Sequence, residues 1–121
     1  MSSPMGVACD SLDDVWVSDP GTSRLVVFDS DGKLKLRYDV SSKLTLPNKF
    51  TPNGITYCKA SKIMYVVDPL NNCLLSVTGD GKYVSMVYLT NLESPSCVAC
   101  RDQTLWLCHK KNTICVYDLK N

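Results

Sequence analysis

The chain has 121 residues, enough for one domain with an ordinary core, since a domain of this size buries roughly two-thirds of its unfolded surface. Thirteen basic and twelve acidic residues are spread along it for a net charge of +1, so neither a basic nucleic-acid footprint nor an acidic tail is present. Eleven acids are Asp and one, Glu93, is Glu; with six Gly and six Pro, this favours turns over helices. The longest apolar run, residues 63–67, is far short of the ~18 residues of a membrane helix, and no basic-then-apolar leader opens the chain. These features lead us to expect a soluble cytoplasmic protein without membrane contact, whose seven cysteines are free thiols.

In chain order, the first four predicted strands are residues 5–10, 14–18, 24–29 and 34–39. Asp29-Ser30-Asp31-Gly32 joins the last two, a hairpin signal with Gly32 at the turn. After a connector at 40–51, four more strands are predicted at 53–58, 62–67, 73–77 and 82–89. Thr78-Gly79-Asp80-Gly81 marks the same hairpin there. Three further strands are predicted at 96–100, 105–108 and 113–118.

These elements repeat. Pro4-x-Gly6-Val7, Pro52-x-Gly54-Ile55 and Pro95-x-Cys97-Val98 open three units. Val15-Trp16-Val17-Ser18-Asp19, Met64-Tyr65-Val66-Val67-Asp68 and Leu105-Trp106-Leu107-Cys108-His109 follow at the same places. Asp31-Gly32-Lys33 and Asp80-Gly81-Lys82 close the first two. A period in the forties means one supersecondary unit stacked on copies of itself. The apolar runs at 25–28 and 63–67 are continuous rather than alternating, as in strands covered on both faces. Four-stranded sheets covered by sister sheets are the blades of a β-propeller. A two-sheet sandwich predicts no similarity between successive units. The expected fold is therefore all-β, a propeller segment of about three four-stranded antiparallel blades. They span residues 4–40, 52–89 and 95–119, the last without its outer strand.

Candidate sites follow from that frame. Loops between the second and third strands of each blade share one rim with the connector. They carry Arg24, Lys43, Lys49, Phe50, Asn71, Asn72, Lys110 and Lys111, and loops on a rigid scaffold are where binding residues usually sit. Phosphates would be met by the basic members, but only Phe50 offers a stacking surface for bases, so a protein target is expected before RNA. Asp19 and Arg24 flank one such loop and are expected to hold its shape. Trp16, Tyr65 and Trp106 share one repeat position and are expected to pack between blades, while Gly32 and Gly81 serve the hairpin turns. Asp29-x-Asp31-Gly32 is too short for a calcium loop. Cys97-Val98-Ala99-Cys100 suggests a zinc site, but residues three apart on a strand point to opposite faces. His109 is the only histidine, and no nucleophile elbow or phosphate loop appears. No metal, cofactor or catalytic residue is expected.

The repeat resembles the NHL repeat. Pro4, Gly6, Val7, the step Val15-Trp16-Val17-Ser18-Asp19, the run Arg24-Leu25-Val26-Val27-Phe28-Asp29 and Asp31-Gly32-Lys33 carry the likeness. The second unit departs at Cys73 and at Val77-Thr78, and the third at Cys97 and His109. The resemblance implies a six-bladed propeller of the kind found at the C-terminus of tripartite-motif ubiquitin ligases, where it recognises protein or RNA. It also implies a last blade whose outer strand comes from the N-terminal end of the ring. Six blades at this period need roughly 200 residues or more, so the chain looks like the C-terminal half of such a propeller. Self-association or pairing with the remaining blades is expected, because open sheet edges and apolar faces invite it. A second resemblance competes. Pro52-Asn53-Gly54 with Tyr65-Val66-Val67-Asp68 is similar to the gluconolactonase/regucalcin family, which implies Asn53 as one ligand of a catalytic divalent metal.

Overall fold

The computed structural model describes residues 1–40, 43–87, 89, 91–110 and 113–119. Eleven strands form among them: β1 (Gly6–Cys9), β2 (Val15–Asp19), β3 (Arg24–Phe28), β4 (Leu34–Tyr38), β5 (Ile55–Cys58), β6 (Ile63–Asp68), β7 (Cys73–Thr78), β8 (Val84–Val87), β9 (Cys97–Arg101), β10 (Thr104–His109) and β11 (Thr113–Asp118). They make three antiparallel sheets, β1-β2-β3-β4, β5-β6-β7-β8 and β9-β10-β11, each with its strands side by side in chain order. Every predicted strand is present, and the third sheet has three.

The sheets stack face to face. The first strands of successive sheets lie together, β1 against β5 and β5 against β9. Successive side chains of a strand point to opposite faces, so the middle sheet feeds two cores at once. Met64, Val66, Leu75 and Val77 join Trp16, Leu25, Val27 and Tyr38 in the first. Tyr65, Val67 and Leu74 join Leu105 and Leu107 in the second. This is why 63–67 reads as an unbroken apolar run.

The glycine of the Pro-x-Gly step is explained by the spacing of these inner strands. A Cβ on Gly6 would stand 2.8 Å from the Asn53 carbonyl oxygen, and one on Gly54 would stand 2.7 Å from that of Ser96. Ser18 Oγ donates to the same Asn53 carbonyl, and Cys100 N donates to Thr56 Oγ1 at 3.2 Å, tying each junction across. Repetition extends to the backbone. Asp13, Lys62 and Asp102 take left-handed φ in the first hairpins, and Ser23, Asn72 and Lys110 take it in the next loops. Gly32 and Gly81 have φ of +84° and +74° at the outer hairpins, a conformation glycine adopts without steric cost.

Two expectations are corrected. Trp106 does not pack between blades as Trp16 and Tyr65 do. It is 50% exposed, because it points to the face of the third sheet that no sheet among the described residues covers. Phe50 does not sit on the rim. It is 3% exposed in the first core, where the connector also packs Val40, Leu44 and Leu46.

Candidate functional site

The rim built by the loops after β2, β6 and β10 and by the connectors is organised by two buried carboxylates. Asp19 ends β2 and is fully buried. It accepts the backbone N–H groups of Ser2 at 3.0 Å and Ser3 at 2.9 Å, and the Thr22 hydroxyl at 2.8 Å. Asp68 ends β6 in the same way. It accepts the Thr51 hydroxyl, Thr51 N at 3.2 Å, Asn71 N at 3.2 Å and Asn71 Nδ2 at 2.7 Å. Each aspartate thus joins the incoming segment of its blade to the loop that leaves its second strand. Burial pushes the Asp19 carboxyl up, but the hydrogen bonds from Ser3, Thr22 and Ser2 outweigh it and leave the group below the usual 3.8. Its carboxylate shapes the loop through these donors.

His109 takes this place in the third blade. It is 8% exposed, and its Nδ1 has no hydrogen-bond partner among the described residues. The loop is held instead by Lys110 N donating to the Glu93 carbonyl at 2.8 Å, with Lys110 Nζ 3.6 Å from the Glu93 carboxylate.

The candidate residues separate into two kinds. Asn71 is a brace: besides Asp68 it bonds the Lys49 carbonyl at 3.1 Å and receives Asn48 N at 2.7 Å. Asn72 Oδ1 accepts Ser94 N at 2.9 Å and reaches from one blade to the next connector. Lys43, Lys49 and Lys110 are exposed side chains on this scaffold. Arg24 lies half-buried at the edge, lining with Val26, Phe28, Leu34 and Arg37 a cavity of about 460 Å³ on the outer face of the first sheet. Lys111 lies outside the described residues.

Sequence reasoning missed Asp10. It is buried, accepts Trp16 Nε1 at 2.9 Å, and receives Leu12 N at 2.9 Å and Asp14 N at 3.0 Å from its own hairpin. The second blade has Cys58 at the corresponding position, so the repeat gave no signal for it. The cysteines of the Cys97–Cys100 step divide between faces: Cys97 pairs in register with Cys108 on the outer face, and Cys100 joins the second core. Among the described residues no three His, Cys, Asp or Glu side chains gather as metal ligands. Asn53 uses its backbone at the blade junction, N–H to the Val67 carbonyl at 2.9 Å and carbonyl to Ser18. No helix among the described residues is long and apolar enough to cross a membrane.

Three sheets of this topology, stacked in order with their first strands inward, define a segment of a β-propeller. Known structures agree. The chain is similar to a streptogramin B lyase (TM-score 0.71, 24% identity), covering 98% of this chain and 41% of that one. It is similar to virginiamycin B lyase from Staphylococcus aureus (TM-score 0.72, 16% identity), covering 98% and 42%. It is also similar to Kuenenia stuttgartiensis hydrazine synthase (TM-score 0.77, 13% identity), covering 98% and 33%. At these identities the likeness is one of fold, and the chain spans about two-fifths or less of each of these proteins. No protein-family model and no curated protein matches the chain.

Proposed function

We propose that this propeller segment is a non-catalytic interaction module that recognises a protein target through the rim of loops and connectors. One observation carries the reading: Asp19 and Asp68 fix two of the loops beneath this rim, Asn71 ties the second to the Lys49 carbonyl, and Glu93 holds the third, so Lys49 and Lys110 are displayed from braced backbone with Lys43 exposed beside them. A preorganised loop surface loses little entropy on binding. The Pro4-x-Gly6 and Arg24-to-Lys33 motifs support the finer reading of an NHL-like module, which in a ubiquitin ligase would select the substrate. RNA ranks second, since Phe50, the one aromatic expected on the rim, is in the core.

A photo-crosslinker placed at Lys49 in the cell tests this against one placed at Lys59, on the opposite hairpins. A specific protein adduct at Lys49 that disappears in K43E/K49E/K110E supports the module. Adducts equal at both positions would sink it. Nuclease-sensitive adducts at Lys49 would assign the rim to RNA. Lactone hydrolysis dependent on a divalent cation and lost in Asn53→Ala would replace the reading with the lactonase alternative.

A further inference from the structure

Two cysteines meet at the junction between the second and third sheets. Cys58 ends β5 and Cys100 lies in β9, so they belong to different blades. Both thiols reach one acceptor, the carbonyl oxygen of Asp102, from Cys58 Sγ at 3.1 Å and from Cys100 Sγ at 3.5 Å. The two side chains also hydrogen-bond each other. The inner strands run close here, with Cys100 N donating to Thr56 Oγ1 at 3.2 Å. The corresponding positions of the first junction hold Asp10 and Tyr57, so the packing of a junction does not itself require thiols.

The surroundings divide the roles of the pair. Burial pushes the Cys58 thiol up, but hydrogen bonds from Cys100, Ser61 and Ala60 outweigh it and leave the group below the usual 9.0. Burial, then the bond to Cys58, drives Cys100 up to about 12, so the proton left to the pair stays on Cys100. The thiolate is the reactive form, which makes Cys58 the nucleophile and Cys100 the thiol that resolves. Cys58 is fully buried and Cys100 half-buried, so a small oxidant has access past Cys100 and a bulky one does not.

We propose that Cys58 and Cys100 form a modification site, at which hydrogen peroxide makes a reversible disulfide that bonds the second blade to the third. The Cys58 sulfur attacks one peroxide oxygen. The O–O bond breaks, and the other oxygen leaves as hydroxide and takes up the proton that Cys58 released. The Cys100 sulfur then attacks the Cys58 sulfenic acid. The S–S bond forms, the S–O bond breaks, and the departing oxygen leaves as water with the Cys100 proton. Two thiols and one peroxide give one disulfide and two waters.

Peptide mapping without reductant, on the native chain treated with hydrogen peroxide, tests the site. The exposed Cys9, Cys97 and Cys108 are replaced by serine so that they do not compete, with the wild-type chain mapped alongside. A Cys58–Cys100 linkage is expected in both, reversed by dithiothreitol, while the buried Cys73 stays unmodified and shows that the chain has not unfolded. Cys100→Ser is expected to stop at a sulfenic acid on Cys58, trapped when the chain is unfolded in dimedone. Cys58→Ser is expected to slow oxidation at Cys100 by about tenfold or more, since the remaining thiol is not ionised. No linkage, linkage of Cys100 to another thiol, linkage that appears only as Cys73 reacts, or a Cys58→Ser chain oxidised at Cys100 as fast as its parent overturns the proposal.

Discussion

Asp19 and Asp68 stand 49 positions apart and do the same work. Each closes the second strand of its blade, is fully buried, and accepts both from the segment before the blade and from the loop after the strand. Even the partners correspond, Ser3 with Thr51 and Thr22 with Asn71. A buried carboxylate is tolerated because several donors replace its water. The rim is therefore shaped by groups beneath it, while the side chains displayed above are free to differ from blade to blade.

Removing one of these carboxylates strands its donors. In Asp68→Ala, Asn71 and Thr51 lose their shared acceptor at a half-buried site, which costs about 2–3 kcal/mol. Urea denaturation is expected to show a lower midpoint with an unchanged slope. Lys49→Ala, at an exposed side chain, is expected to change stability by less than about 0.5 kcal/mol. Equal midpoints for the two variants would show that the hub does not brace the rim.

The same hydrogen bonds make a pH dependence. The folded-state pKa of Asp19 lies below its ordinary value of 3.8, so the unfolded chain binds the proton more readily than the folded one. The stability it contributes is full above about 3.8, and is lost as pH falls through the lower folded value. Denaturation midpoints of the wild type are expected to fall more steeply below pH 4 than those of Asp19→Asn, which has no such carboxyl to protonate. Parallel curves in that range would remove Asp19 from the acid response.

How much of this was legible follows from where the causes lie. The strands and their grouping were readable because the repeat aligns Gly6 with Gly54 and Asp19 with Asp68. The burial of Phe50 was not, because the other units carry Ser2 and Glu93 at its place before the Pro-x-Gly step, so the repeat gives no apolar signal there and Phe50 packs by tertiary contact alone. The exposure of Trp106 was not readable from its own position, which matches Trp16. It depends on whether a further sheet lies beyond. Asp10 was hidden for a related reason, since its partner Trp16 Nε1 is reached across a hairpin whose sequence differs in each blade.

Close approach of inner strands separates the glycines. Gly54→Ala places a Cβ against the Ser96 oxygen and the Cys97 Cα, both backbone and unable to rotate away, for an expected cost of about 1–3 kcal/mol. Gly79→Ala meets only the Lys62 oxygen at 3.9 Å and is expected to be nearly neutral. Gly32→Ala has open space but a φ of +84°, and is expected to lose about 1 kcal/mol from backbone strain. Thermal melts of the three variants check the order; a Gly54→Ala protein as stable as Gly79→Ala would mean the blades are spaced more widely than described.

The cysteines offer a readout of the faces. Cys9, Cys97 and Cys108 are exposed, and all three lie on the outer faces of the first and third sheets. Cys73 is buried beside Asp68, and burial pushes its thiol up to about 12, with the aspartate charge adding to it. A thiol so placed is neither accessible nor ionised at neutral pH. Cys100, half-buried against the second core, is driven up to about 12 first by burial, so it is un-ionised at neutral pH but still partly reachable. Rapid labelling of a dilute native chain is expected at Cys9, Cys97 and Cys108, with Cys73 reacting only at the rate of unfolding. Mass mapping of labelled peptides checks this, and fast modification of Cys73 would show that the first core opens near Asp68.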